Sequence, residues 1–142
     1  MADLIYSIGA DGFFLGQIAW ERDDIQAILI DPDEYRPDVD GDETLSDIPA
    51  AAVLKTTLLT GRRVVNRWCR ADSVIFGKVK GESAGAVVLM KVFEGSQELP
   101  VLIAYIENIE GFPMKPNGGD VQVSWSPDGI FSMQRPDFNR MD

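Results

Sequence analysis

Asp38, Asp40 and Asp42 stand at alternate positions in Asp38-Val39-Asp40-Gly41-Asp42-Glu43, shortly after Asp31-Pro32-Asp33-Glu34. Carboxylates at that spacing open an EF-hand calcium loop, where hard oxygen ligands surround a hard cation. The pattern then breaks. Glu43 occupies the sixth position, where glycine must make the turn, and Pro49 the twelfth, where a bidentate glutamate must close the shell. A solvated acidic loop is therefore expected, with irregular calcium coordination as the alternative. Two carboxyls across a cleft could also hydrolyse a glycoside. With 23 acids in the chain some pair arises by chance, and no flanking residues mark one.

Two side chains have nucleophilic atoms. Cys69 lies in Arg67-Trp68-Cys69-Arg70, where cations would lower the thiol pKa at an exposed site, although a small half-buried strand residue is the reading expected. Ser83 lies in Gly81-Glu82-Ser83-Ala84-Gly85, which fits the spaced Gly-x-Ser-x-Gly pattern by letters alone. Both need a base, and the chain has no histidine. That removes Ser-His-Asp and Cys-His catalysis and histidine-ligated zinc. Gly77-Lys78 lacks the preceding glycine and the following Ser or Thr of a phosphate loop. Trp20, Trp68 and Trp125 are too far apart to define an aromatic platform, so packing is their default role. The expectation is a chain with no catalytic residues, no metal and no cofactor.

Charge points elsewhere. The net charge is −10, but residues 1–49 carry −11, residues 50–91 carry +6 and residues 92–142 carry −5. Such a balance repels DNA overall. The basic run Arg62, Arg63, Arg67 and Arg70 is a candidate contact for carboxylates on a partner or a second copy. Phe13, Phe14 and Trp20 are candidate apolar contacts. Pairing of these segments within one molecule is the bland alternative.

The elements that must position these groups read mainly as strands. At 142 residues, 45% hydrophobic and 25% charged, the chain suits one domain with a real core. No apolar run approaches the ~20 residues of a membrane helix. Met1-Ala2-Asp3-Leu4 has neither the basic segment nor the apolar run of a signal peptide, so synthesis in a cytoplasm is expected. Asp3 is a candidate N-cap for a short N-terminal helical segment over 1–16, with Gly16 as its stop. Ile25 to Ile30 suits a buried strand, and 31–49 reads as an acidic loop.

Further strands are predicted near 53–59, 62–68, 74–79, 86–93, 100–106, 121–125 and 130–133. Thr60-Gly61 and Ser126-Pro127-Asp128-Gly129 are the predicted turns between neighbours, and Asn117-Gly118-Gly119-Asp120 supplies positive φ before Val121. Short strands at this interval predict an antiparallel β-sandwich or jelly-roll-like domain with one short N-terminal helix. Residues 134–142 read as a polar tail.

Three blocks carry a resemblance. They are Gly16 to Trp20 leading into Ile25–Ile30 and Asp31, then Leu45-Ser46-Asp47-Ile48-Pro49-Ala50, and Leu102 to Ile106 followed by Gly111-Phe112-Pro113, Pro116-Asn117-Gly118-Gly119-Asp120, Val121 to Trp125 and Gly129-Ile130-Phe131. In order and spacing over nearly the whole chain, the sequence resembles a family of small tailed-bacteriophage virion structural proteins. It departs from that pattern in the bulky basic run 62–70 and in the residues beyond Gln134. The resemblance implies a non-enzymatic particle component and carries over no catalytic residue. The leading expectation is a capsid decoration or cement protein, homo-oligomeric and bound to the major capsid protein or other virion proteins. Nucleic acid and membrane are not expected partners, and the virion is the expected location. A tail or head–tail junction component and a host-glycan adhesion module are the alternatives.

Overall fold

The computed structural model describes residues 3–132. Its centre is a five-stranded antiparallel sheet of β1 (Leu4–Ile5), β2 (Asp24–Ile30), β3 (Val53–Leu58), β7 (Ala86–Val92) and β8 (Val101–Ile106), in the order β1-β8-β7-β2-β3. The central strands β2 and β7 pair along their whole length, Asp24 with Val92 through Ile30 with Ala86. A strand buried on both faces needs apolar residues at successive positions, which is why Ile25–Ile30 and Ala86–Met90 do not alternate. Ala27 and Leu29 face one core, while Ile28 and Ile30 face the other.

The first core is covered by two small sheets. One has the order β10-β5-β4, from Phe131–Ser132, Trp68–Arg70 and Arg63–Val65; the other pairs β6 (Val74–Phe76) with β9 (Val121–Val123). Leu59, Val74, Phe76, Val123 and Phe131 are all buried there. The second core is covered by residues 31–52, which place Tyr35, Ile48 and Ala52 against Ile28, Val88 and Leu102. The chain is thus an antiparallel β-sandwich, with one α-helix among the described residues.

Several local expectations are corrected. Helix α1 is Ser7–Phe14, entered from Tyr6 in extended conformation; residues 4–5 pair with Ala104 and Tyr105 as β1. Asp3 does not cap α1, because its Oδ1 accepts the N–H groups of Glu107 and Asn108 and ties the start of β1 to the end of β8. Gly16 does follow the helix, at φ +74°. Thr60-Gly61 closes no hairpin: β3 pairs only with β2, and this corner carries the chain from the main sheet to the small one. The tight hairpin lies one step on, at Asn66-Arg67, both at positive φ (50° and 73°). Val65 pairs with Trp68 across it, which splits the predicted 62–68 strand into β4 and a new strand β5. Ser126–Gly129 is a turn, with Gly129 N–H donating to the Ser126 carbonyl, but β9 and β10 enter different sheets. The predicted tail 134–142, and Met133 of the predicted last strand, lie outside the described residues.

Helix α1 packs on β8 through Gly9. A Cβ at that position would lie 2.8 Å from both Cα and the carbonyl oxygen of Ile103. Alanine would gain about 1 kcal/mol of helix propensity, but overpacking against backbone typically costs about 1–3 kcal/mol. Gly9→Ala is therefore expected to lower the denaturant midpoint, because backbone cannot rotate aside. An unchanged or higher midpoint would show that the helix can shift away from β8.

Candidate functional site

The acidic segment is held down, not freely solvated. Tyr6 Oη and Tyr35 Oη are 2.7 Å apart within the second core, and Tyr35 Oη donates to Asp42 Oδ2 at 2.7 Å. The same oxygen accepts the Asp38 N–H at 2.9 Å. Asp38 Oδ1 accepts the Gly41 N–H, and Asp40 Oδ1 accepts the Ser7 hydroxyl. Burial drives the Tyr6 and Tyr35 hydroxyls well above the ordinary phenol range. Thus Asp38, Asp40 and Asp42 serve as acceptors for loop and helix groups. Among the described residues, no three His, Cys, Asp or Glu side chains are placed to hold a metal ion.

This layer corrects the expectation of a plain exposed loop. Its carboxylates mostly face solvent, while Tyr35 and Ile48 are core and Asp31 is 6% exposed. Asp31 Oδ1 accepts the Asp33 N–H and begins the turn. Leu45–Asp47 forms a short 3₁₀ turn, in which Asp47 Oδ2 accepts the N–H groups of Glu43 and Thr44. Those two bonds hold the Asp47 carboxyl below its ordinary value. The Leu45-Ser46-Asp47-Ile48-Pro49 block is therefore a clasp that sets Ile48 into the sheet.

The Pro116–Asp120 block plays the same part on the other side. Asn117 Oδ1 accepts the Gly119 N–H, Gly118 takes φ +91°, and Asp120 Oδ1 accepts the Lys78 N–H.

Neither candidate nucleophile is placed for chemistry. Cys69 is 5% exposed. Burial, with a smaller contribution from the Glu21 charge, pushes its thiol up to about 12, so the thiolate is suppressed at neutral pH. Ser83 sits just before an isolated bridge between Ala84 and Met114, on the way into β7. The serine of a nucleophile elbow instead tops a strand-to-helix turn.

The predicted interface residues divide sharply. Arg62 is turned inward, its guanidinium donating to the carbonyls of Trp20, Leu59 and Asp23. Those bonds pin the corner between the sheets and take Arg62 out of the proposed basic contact. Trp20 is 3% exposed, its Nε1 donates to the Arg70 carbonyl, and its ring meets Phe131 edge-on at 5.3 Å. It belongs to the core. Phe13 is half-buried against Phe131 at 6.1 Å. Arg63, Arg67 and Arg70 do cluster on the β4–β5 hairpin, with Arg63 and Arg70 as direct cross-strand partners.

Phe14 is different. It is 71% exposed, and Leu15 beside it is 69% exposed. Ile8 and Gly12, four residues apart, share one face of helix α1. Ile8 and Gly12 line an open hollow of about 370 Å³, walled further by Ile18, Phe93, Val101 and the Lys91 stem. The Lys91 ammonium is fixed beneath it, 3.1 Å from Asp23 and 4.8 Å from the Phe93 ring centre. Periodicity analysis finds the helix but not this exposure, because Phe13 and Phe14 are indistinguishable until the helix is docked. The chain matches no protein-family model and no curated protein.

Proposed function

We propose that the chain is a non-enzymatic structural protein of a tailed-phage particle, and within that class a decoration protein that binds the assembled capsid shell. The observation that carries this reading is the Phe14–Leu15 pair. Two adjacent large apolar side chains, each more than two-thirds exposed, stand at the C-terminal end of helix α1 and are the most exposed large apolar groups among the described residues. Exposed apolar groups in one patch mark an association surface. The block resemblance supplies the kind of assembly, and the buried Cys69 and strand-entry Ser83 fit a protein without covalent chemistry.

A module that binds the lattice but not the free subunit favours the assembled state by mass action. Repetition over many lattice points, or as a symmetric oligomer, adds avidity. The tail or junction role is the same kind of binding at fewer copies. A glycan-binding role finds less support. Tyr35 and Tyr105, which line a groove with Pro32 and Pro37, are only 6% and 2% exposed, too little for a sugar ring to stack on.

The test is the double variant Phe14→Glu with Leu15→Glu. Both side chains are outside the core, so its unfolding midpoint should stay close to wild type. Burying one such side chain is worth about 1.5–3 kcal/mol, so occupancy on purified shells at limiting protein should fall roughly tenfold or more. Full occupancy by the double variant would remove this patch from the interface.

A further inference from the structure

The β4–β5 hairpin places two like charges where sheet energetics disfavours them. Arg63 and Arg70 are directly opposed across the strand pair, and like charges so placed repel. Together with Ser73, Ser124, Trp125 and Ser126 they line a small polar hollow of about 190 Å³. Arg70 is braced, its Nη1 and Nη2 donating to the carbonyls of Pro127 and Asp128 at 2.9 and 3.0 Å. Arg63 donates to the Gly61 carbonyl at 2.7 Å and lies 3.7 Å from the Asp72 carboxylate. Trp125 is fixed by its Nε1 bond to the Asp72 carbonyl at 3.0 Å. Each guanidinium has five N–H donors, so these contacts orient both forks without exhausting them. Asp72, itself largely exposed, offsets one of the two charges.

We propose that this hollow is an oxyanion site that receives a carboxylate side chain from a neighbouring protein subunit. Two arginine forks and three hydroxyls are the donor set that a carboxylate accepts from, and the arginine geometry allows bidentate pairing. Size decides against a whole small molecule. Ligand pockets run from about 300 Å³ upward, so a 190 Å³ hollow holds one end group of something larger. The carrier of the carboxylate rests on the assembly reading above, whereas the anion site does not.

The experiment separates the two. Backbone amide spectra of the isolated protein are followed during titration with acetate, inorganic phosphate and chloride at matched ionic strength. Acetate should shift the amides of residues 63, 70, 73 and 124–126 saturably, and chloride should not. Arg63→Gln should weaken acetate binding about tenfold, the loss expected of one charge-assisted pair. Arg63→Lys, which keeps the charge but not the fork, should recover only part. Arg63 is exposed and holds no core group, so these variants keep the fold.

Equal shifts with chloride, or an unchanged response in Arg63→Gln, would overturn the site. Saturable phosphate binding without acetate binding would overturn the carboxylate assignment. On purified particles Arg63→Gln should also lower occupancy. Acetate binding that depends on Arg63, with occupancy unaffected, would overturn the protein carrier while leaving the Phe14–Leu15 reading intact.

Discussion

Replacing Tyr35 by alanine is expected to lower the unfolding free energy by about 3–5 kcal/mol, the range for deleting a large buried aromatic. Tyr35 is the largest of the side chains by which the acidic layer 31–52 enters the second core, beside Ile48 and Ala52, and its ring lies 6.1 Å from that of Tyr105. Its hydroxyl is also the link between Tyr6 and Asp42. Tyr35→Phe separates these roles. It keeps the ring but leaves Tyr6 Oη without its partner and Asp42 one donor short, at an expected cost of about 1–3 kcal/mol. Denaturant unfolding of both variants checks the order. A cost for Tyr35→Phe equal to that for alanine would assign everything to the hydroxyl network and nothing to packing.

The same tyrosines set an alkaline limit on the fold. Burial first, then Glu107, pushes the Tyr105 hydroxyl up to about 12, and Tyr6 and Tyr35 are raised further. The unfolded phenol titrates near 10. Between those values the folded chain binds more protons than the unfolded one, so stability falls as pH rises. The contribution is complete below about pH 10 and is lost progressively as pH climbs toward 12. Cys69, raised by burial to about 12, acts in the same direction from about pH 9. Unfolding free energies at pH 8, 10 and 11 should decline in that order, and less steeply in Tyr35→Phe.

Arg62→Ala is the second large effect, an expected loss of about 2–4 kcal/mol. Three backbone carbonyls, from Trp20, Leu59 and Asp23, lose their donor together in a half-buried corner, and each unsatisfied group costs about 1–3 kcal/mol when water cannot replace the donor. Water reaches part of that corner, so the sum is discounted. Arg62→Lys brings one point charge in place of a fork and should recover less than half. This decides how the basic run is probed. A joint charge reversal of Arg62 and Arg63 would mix unfolding with lost contact, whereas Arg63 alone reports on the surface. Wild-type stability in Arg62→Ala would return Arg62 to the list of free cations.

The sheet was legible because burial on two faces leaves a mark that sequence can show. Ile25–Ile30 and Ala86–Met90 are apolar without alternation, and Val121, Val123 alternates with polar Gln122 as a half-buried strand should. The strand order was not legible, since turn residues tell where the chain bends and not which strand it rejoins. Thr60-Gly61 reads as a hairpin and is a corner between sheets. Asn66-Arg67 makes the real hairpin with arginine at φ 73°, a conformation that glycine normally signals. The acidic segment hid its packing because Tyr35 and Ile48 are isolated apolar residues among eight acids.

At the candidate sites, sequence found the arginine cluster and the N-terminal apolar stretch. It could not separate Arg63 from Arg62, or Phe14 from Trp20, because each pair differs only in the direction its side chain takes after docking. Ser73 and Ser124 were not singled out, and Ser126 only as a turn residue. Lone serines near turns carry no signal until the two small sheets bring them to the same hollow.

The central claim is that this protein acts by binding an assembled shell. Its most direct test is the amount of the chain in purified particles, measured by quantitative mass spectrometry against the major shell protein. A decoration role predicts a fixed ratio of symmetric lattice stoichiometry, amounting to hundreds of copies, on the order set by the shell's own copy number. The same particles should lose resistance to heat when the chain is removed. A handful of copies per particle would place it at the tail or a vertex. Its absence from particles, or particles without it that keep their full heat resistance, would contradict the account.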